Sequence, residues 1–178
     1  MALSLTLRIP PPAPGISPPD HYAKHHSLHL AQKSAESAAR FYTSVFKNSK
    51  IFKVTRYPKG GPEKPGSVMT IQFRLMGQEF IALNCGPAFK LTPAISFVVN
   101  CRTQAEVDYY WRKLSAGGKK VQCGWLEDKF DVSWQIVPTV LPELLGDKDA
   151  EKAARVMQAM MKMDKIDIKR LQQAAAKK

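Results

Sequence analysis

The sequence predicts an α+β fold in which a βαβββ module is used twice and is followed by a C-terminal helical segment. Three observations carry this expectation. Each half of the chain holds one amphipathic helix bracketed by strand-length apolar runs. The order strand, helix, three strands occurs twice. The two helix caps, Ser34 and Thr103, lie 69 positions apart (103 − 34), and the same offset superposes Phe41 on Tyr110, Tyr42 on Trp111 and Ser27 on Ser96. With 178 residues, 44% of them hydrophobic, the chain is long and apolar enough to bury a core.

Residues 1–20 contain six of the 13 prolines, at positions 10, 11, 12, 14, 18 and 19, and read as a disordered leader. A domain is expected over 21–146, with module one at 25–86 and module two at 93–138. Module one begins with the strand-like alternation Ser27-Leu28-His29-Leu30. Ser34 then caps a helix on which Ala38, Phe41, Tyr42 and Val45 recur at helical spacing. Three strands follow, IFKVTRY, SVMTIQFRL and EFIALN, with Met76-Gly77 as a tight turn between the last two. Module two repeats the order: AISFVVN as a strand, a helix opened by the capping box Thr103/Glu106 and stopped by Gly117-Gly118, then KVQCGWL and VSWQIVP as strands. From 147 to 178 the pattern is helical, with Ala153, Val156, Met157, Met160 and Met161 on one stripe and Ile166, Ile168 and Leu171 further on. A methionine stripe of this kind is a docking face rather than a cofactor box.

Charge and cysteine content narrow the function classes. Lys and Arg number 27 against 15 Asp and Glu, a formal +12, which attracts anions over long range without specifying any one of them. No basic run is interleaved with stacking aromatics, so nucleic acid is not an expected partner. Three cysteines without a C-x-x-C spacing favour neither a disulfide framework nor a structural zinc site, and a reducing, cytoplasmic setting is expected. Apolar runs such as 95–99 are strand-length, far short of the roughly 18 to 20 residues of a membrane-spanning helix, so no membrane partner is expected either.

The strings FYTSVFKNSKI, GQEFIALNCGP, AISFVVNC with TQAEVDYYW, KLSAGGKKVQCGWLEDKF, SWQIVPTVLPELL and AMMKMDKIDIKRL resemble the PhnB-like, 3-demethylubiquinone-9 3-methyltransferase-like family over about residues 25–172. The duplicated module resembles the vicinal oxygen chelate superfamily of glyoxalase I, extradiol dioxygenases and the bleomycin and fosfomycin resistance proteins. That resemblance implies two curved sheets around a cavity, a homodimer, and in the enzymes a divalent ion held by His, Gln or Glu of each first strand and Glu of each last strand. The usual first-strand ligand position falls here on Ser27 and Ser96. The segment Asp128 to Gln135 is similar to the superfamily's D-P-x-G-x-x-x-E, with Gln135 where the glutamate stands and Asp131 in place of glycine.

The expected ligand-binding residues are His29, Asn84, Trp125, Phe130 and Gln135. His29 shares a strand face with Ser27 by period-two alternation. Glu79 and Asn84 are the first module's last-strand candidates, and only one of them can face inward because they are an odd number of residues apart. No cofactor is fixed by these residues. A divalent metal would find at most a weak site at His29, Gln135 and Glu79, since serine and neutral amide donors do little to offset dehydration of the cation. Methyl transfer, which the family's description suggests, would need a glycine-rich strand-to-helix turn for S-adenosylmethionine, and no G-x-G-x-x-G occurs. The expected function is therefore small-molecule binding in the cavity. A metal-dependent lyase or dioxygenase, or a quinone O-methyltransferase, is the alternative.

Overall fold

The computed structural model describes the backbone of 25–30 and residues 35–84 and 90–177. The expected leader and the Ser34 cap lie outside the described residues. The chain divides into two compact units, one ending at Leu91 and the other beginning at Thr92.

The first unit contains β1 (His25–Leu30), α1 (Ala35–Val45), β2 (Lys50–Arg56), β3 (Val68–Leu75) and β4 (Gln78–Asn84). Its sheet has the order β1-β4-β3-β2, with β1 parallel to β4 and the other pairs antiparallel. A two-residue turn joins β3 to β4, and both of its residues take positive φ, Met76 at 49° and Gly77 at 89°. That conformation suits the right-handed twist of a hairpin, and glycine reaches it without a Cβ penalty. The alternation of β3 and β4 buries Ile71, Phe73, Phe80 and Ala82 against Ala35, Ala38, Ala39 and Tyr42 of α1. Phe73 stacks on both Tyr42 and Phe80, with ring centroids 6.2 and 5.5 Å apart. Burying such side chains supplies about 1.5–3 kcal/mol each.

The second unit repeats the order with β5 (Phe97–Cys101), α2 (Gln104–Leu114), β6 (Lys119–Lys120), β7 (Trp125–Glu127) and β8 (Ser133–Pro138). Its sheet runs β5-β8-β7-β6, again with only the first pair parallel. The capping box forms: Thr103 Oγ1 accepts from Glu106 N, and Glu106 Oε2 accepts from Thr103 N. Trp111, at the position equivalent to Tyr42, is likewise buried.

KVQCGWL was expected as one strand and is divided. Cys123 and Gly124 both take positive φ, 60° and 80°, which turns the chain between β6 and β7. Gly124 also lies so close to β8 that a Cβ would stand 2.7 Å from the Ile136 carbonyl, while its own carbonyl accepts from Ile136 N at 2.8 Å. Only glycine allows that approach.

Three helices follow, α3 (Val140–Leu145), α4 (Ala150–Met160) and α5 (Ile168–Ala176). The short α3 falls within the stretch expected to close the domain; its Pro142 sits in the first turn, where a missing N–H costs nothing. Asp149 and Asp167 cap α4 and α5 through their side chains. Leu141, Val156, Met163, Ile166 and Leu171 form one buried cluster. The methionine stripe is split: Val156 is fully buried, whereas Met157 and Met161 are 41% and 60% exposed. This segment docks on the β6–β7 turn, where Cys123 N and Gly124 N donate to the carbonyls of Met163 and Asp164, both at 2.7 Å.

Candidate functional site

Side-chain alternation gives the second sheet two unlike faces. Val99, Cys101, Leu126, Trp134 and Ile136 are buried on the α2 side. The opposite face carries Val98, Trp125 and Gln135, all half-buried, because Val98 and Trp125 both pair directly with Gln135. Ser96, one residue before β5, joins them: Gln135 Nε2 donates to Ser96 Oγ at 2.9 Å. Two of the expected ligand-binding residues, Trp125 and Gln135, thus lie side by side with Ser96. Together they offer an indole surface, an amide and a hydroxyl, all uncharged.

Phe130 stands apart in the β7–β8 turn, outside the paired strands, with Lys129 Nζ 5.2 Å from its ring centroid. This turn is organised by Asp128, a residue whose role went unrecognised in the sequence. Its carboxylate is buried and accepts from Phe130 N, Val132 N and Trp134 Nε1. The signal available in the sequence was an aspartate just ahead of a turn, where such side chains bond the backbone a few residues on. Asp131 takes the left-handed conformation, φ 63°. Aspartate is among the few residues that tolerate it.

In the first unit Glu79 and Asn84 face opposite sides of β4, as their odd spacing requires. Glu79 lies on the face away from α1 and forms an ion pair with Arg74, its direct neighbour across β3. Asn84 lies on the α1 side and is 7% exposed. Its Oδ1 accepts from Ala35 N and its Nδ2 donates to Val68 O, both at 2.9 Å, so its amide is occupied by backbone. In the parallel register His29 is opposite Leu83; its side chain lies outside the described residues.

Taken one at a time, the described donors offer little charge to a divalent ion. Serine hydroxyl and carboxamide bring no charge, and the Glu79 carboxylate is already neutralised by Arg74. Among the described residues no three His, Cys, Asp or Glu side chains cluster. Neither of the described cysteines, Cys101 and Cys123, resembles an activated nucleophile. Burial pushes the Cys101 thiol up to about 12, and burial together with the Asp164 carboxylate raises that of Cys123. No described helix is long and apolar enough to cross a membrane.

Comparison with known proteins agrees with this duplicated architecture. The family model described as 3-demethylubiquinone-9 3-methyltransferase matches residues 24–137. The solved PhnB protein of Bacillus cereus is 37% identical, with 64% of this chain and 96% of that one covered and a TM-score of 0.58. A Pseudomonas aeruginosa protein is similar at 16% identity, 64% and 95% coverage and a TM-score of 0.54. The fosfomycin resistance protein FosX of Listeria monocytogenes is similar at 16% identity, 69% and 95% coverage and a TM-score of 0.51. The last two show likeness of fold alone. No curated protein matches the chain.

Proposed function

The chain belongs to the 3-demethylubiquinone-9 3-methyltransferase family, a PhnB-like member of the vicinal oxygen chelate superfamily, and from that premise we propose that it binds a small oxygen-bearing or aromatic molecule on the open face of its second sheet. The observation that carries this reading is the hydrogen bond between Gln135 and Ser96 beside Trp125. On the resemblance to the vicinal oxygen chelate superfamily, Ser96 and Gln135 stand where its enzymes are expected to carry metal ligands. Here they form a neutral polar pair against an aromatic wall, an arrangement that orients hydroxyl or carbonyl groups and stacks a ring.

The enzymatic reading rests on the family's description, which names methyl transfer to a quinol-type substrate. Titration with catechol, followed by tryptophan fluorescence, separates the two together with S-adenosylmethionine calorimetry. Binding predicts saturable quenching that is lost in Trp125→Phe and weakened in Gln135→Ala, with no heat from S-adenosylmethionine. Micromolar affinity for S-adenosylmethionine would establish the methyltransferase reading instead.

A further inference from the structure

The helices α4 and α5 enclose a groove of about 320 Å³ that is separate from the sheet face described above. Four cations line it: Arg155 on α4, Lys162 in the turn just after it, Arg170 on α5, and Lys177 at the C-terminal cap of α5. Two glutamines and two alanines complete the described lining, and no carboxylate is among these described residues. Each wall thus carries one arginine on its helix and one lysine just beyond the helix's last turn.

The charge in the groove is poorly neutralised, unlike that nearby. On the same segment Lys152 pairs with Asp147 at 2.6 Å and Lys165 with Asp108 at 2.5 Å. Among the described residues Lys162, Arg170 and Lys177 have no such partner, and Arg155 has only Glu151 at 3.9 Å, a carboxylate 92% exposed to water. Arg155 Nε is instead directed across the groove to the Ala174 carbonyl, 3.4 Å away. Like charges lining one groove repel, and a bound anion relieves that repulsion. The walls are already fixed, because Val156, Ile166 and Leu171 beneath them are fully buried, so little ordering is left for a ligand to impose.

We propose that this groove is a binding site for a diphosphate group, free or carried by a nucleotide. A guanidinium on each wall matches the forked geometry of phosphate oxygens, and the lysines add point charges further along. The short groove offers no aromatic ring on which a base could stack, which disfavours single-stranded nucleic acid as the occupant.

Calorimetry on the full chain at low salt, with sodium pyrophosphate as the probe, tests this. Saturable binding is expected, about tenfold or more weaker in Arg155→Gln, in Arg170→Gln and in Gln173→Glu, which places a carboxylate in the groove. Circular dichroism melts of the three variants show that the fold is kept. A double variant in the other unit, Lys47→Gln with Lys59→Gln, removes charge elsewhere and should bind as the wild type does. ADP binding like pyrophosphate identifies the diphosphate alone as the ligand, and ADP binding tighter identifies a nucleotide; adenosine should not bind. The proposal is overturned by no saturable binding at millimolar pyrophosphate, by equal weakening in the control, or by citrate or a single-stranded oligonucleotide displacing pyrophosphate at lower concentration. None of these readouts involves Trp125 or Gln135, so the two sites stand or fall separately.

Discussion

The side-chain oxygen of Asn84 accepts the backbone N–H of Ala35 at 2.9 Å, joining the last residue of β4 to the first residue of α1 across 49 positions of sequence. A helix N-terminus leaves donors unsatisfied, and here one of them is met by a strand of the sheet on which the helix packs. The Asn84 carbonyl also accepts from the Tyr57 hydroxyl at 2.8 Å, so one residue ties together β4, α1 and the start of the β2–β3 connection.

Replacing this residue should therefore cost stability. Asn84→Ala leaves the Ala35 N–H and the Val68 carbonyl without their partners in a buried setting, a loss of about 1–3 kcal/mol. The expected readout is a lower urea midpoint with an unchanged slope. A midpoint equal to that of the wild type would show that water replaces the amide without penalty.

The C-terminal segment should be as necessary to the second unit as its own helix. Ile166 is fully buried and touches the Gly124 turn, and the carbonyls of Met163 and Asp164 accept the N–H groups of that turn. Ile166→Ala should destabilise by about 2–5 kcal/mol. Removal of 147–178 should abolish the near-ultraviolet circular dichroism of the tryptophans. Retention of that signal by the truncated chain would mean that the sheet holds its packing without the helices.

What could be read from the sequence was what is local. The Thr103/Glu106 capping box, the Met76-Gly77 turn and the strand alternations depend on residues within a few positions of one another, and so does the 69-residue repeat that they build. The role of Asn84 was hidden because its partners lie 16 and 49 residues away. The break at Cys123 and Gly124 was hidden for the same reason, since β8 and the segment after α4 impose it. At the site, period-two alternation correctly separates Glu79 from Asn84. It cannot show that Arg74 occupies Glu79, or that Ser96 and Gln135 hold each other, because strand register is set by tertiary pairing.

Cys101 gives stability a pH dependence of known sign. Its thiol is pushed up from 9.0 to about 12, first by burial and then by the Glu106 carboxylate. Between those values the unfolded chain releases the proton that the folded chain keeps, so stability is whole below pH 9 and falls as pH rises toward 12. Cys101→Ala should flatten that part of the profile relative to wild type. In the native protein at pH 8, Cys101 should also react with a thiol reagent far more slowly than in urea; equal rates would contradict its burial.

A homodimer is the expected assembly. The edge strand β2 exposes Phe52 and Val54, 42% and 41% accessible, beside unpaired backbone groups of the kind natural sheets keep covered. Light scattering at tens of micromolar should give twice the chain mass of 19.9 kDa. A monomer mass at that concentration would refute the dimer. Phe52→Lys should shift the assembly toward monomer if β2 forms the contact.

Metal affinity tests how far the second sheet's open face has moved from catalysis. Gln135 and Ser96 satisfy one another without charge, so a divalent cation arriving there would lose hydration and gain only neutral oxygen donors. Binding of zinc, nickel or manganese to the wild-type chain should be no tighter than micromolar. Gln135→Glu supplies a carboxylate at the same backbone position, beside a hydroxyl that can donate to it, and should tighten binding by about tenfold or more, since each 1.4 kcal/mol is a factor of ten. His29→Ala serves as the second arm, because the first-strand imidazole is the remaining nitrogen donor expected from the sequence. Stoichiometric metal in purified, tag-free wild-type protein, lost in His29→Ala, would overturn the weak-metal expectation and turn the assignment toward a metal-dependent enzyme. Tightening confined to Gln135→Glu would instead show that one side chain, and not the fold around it, sets the low affinity.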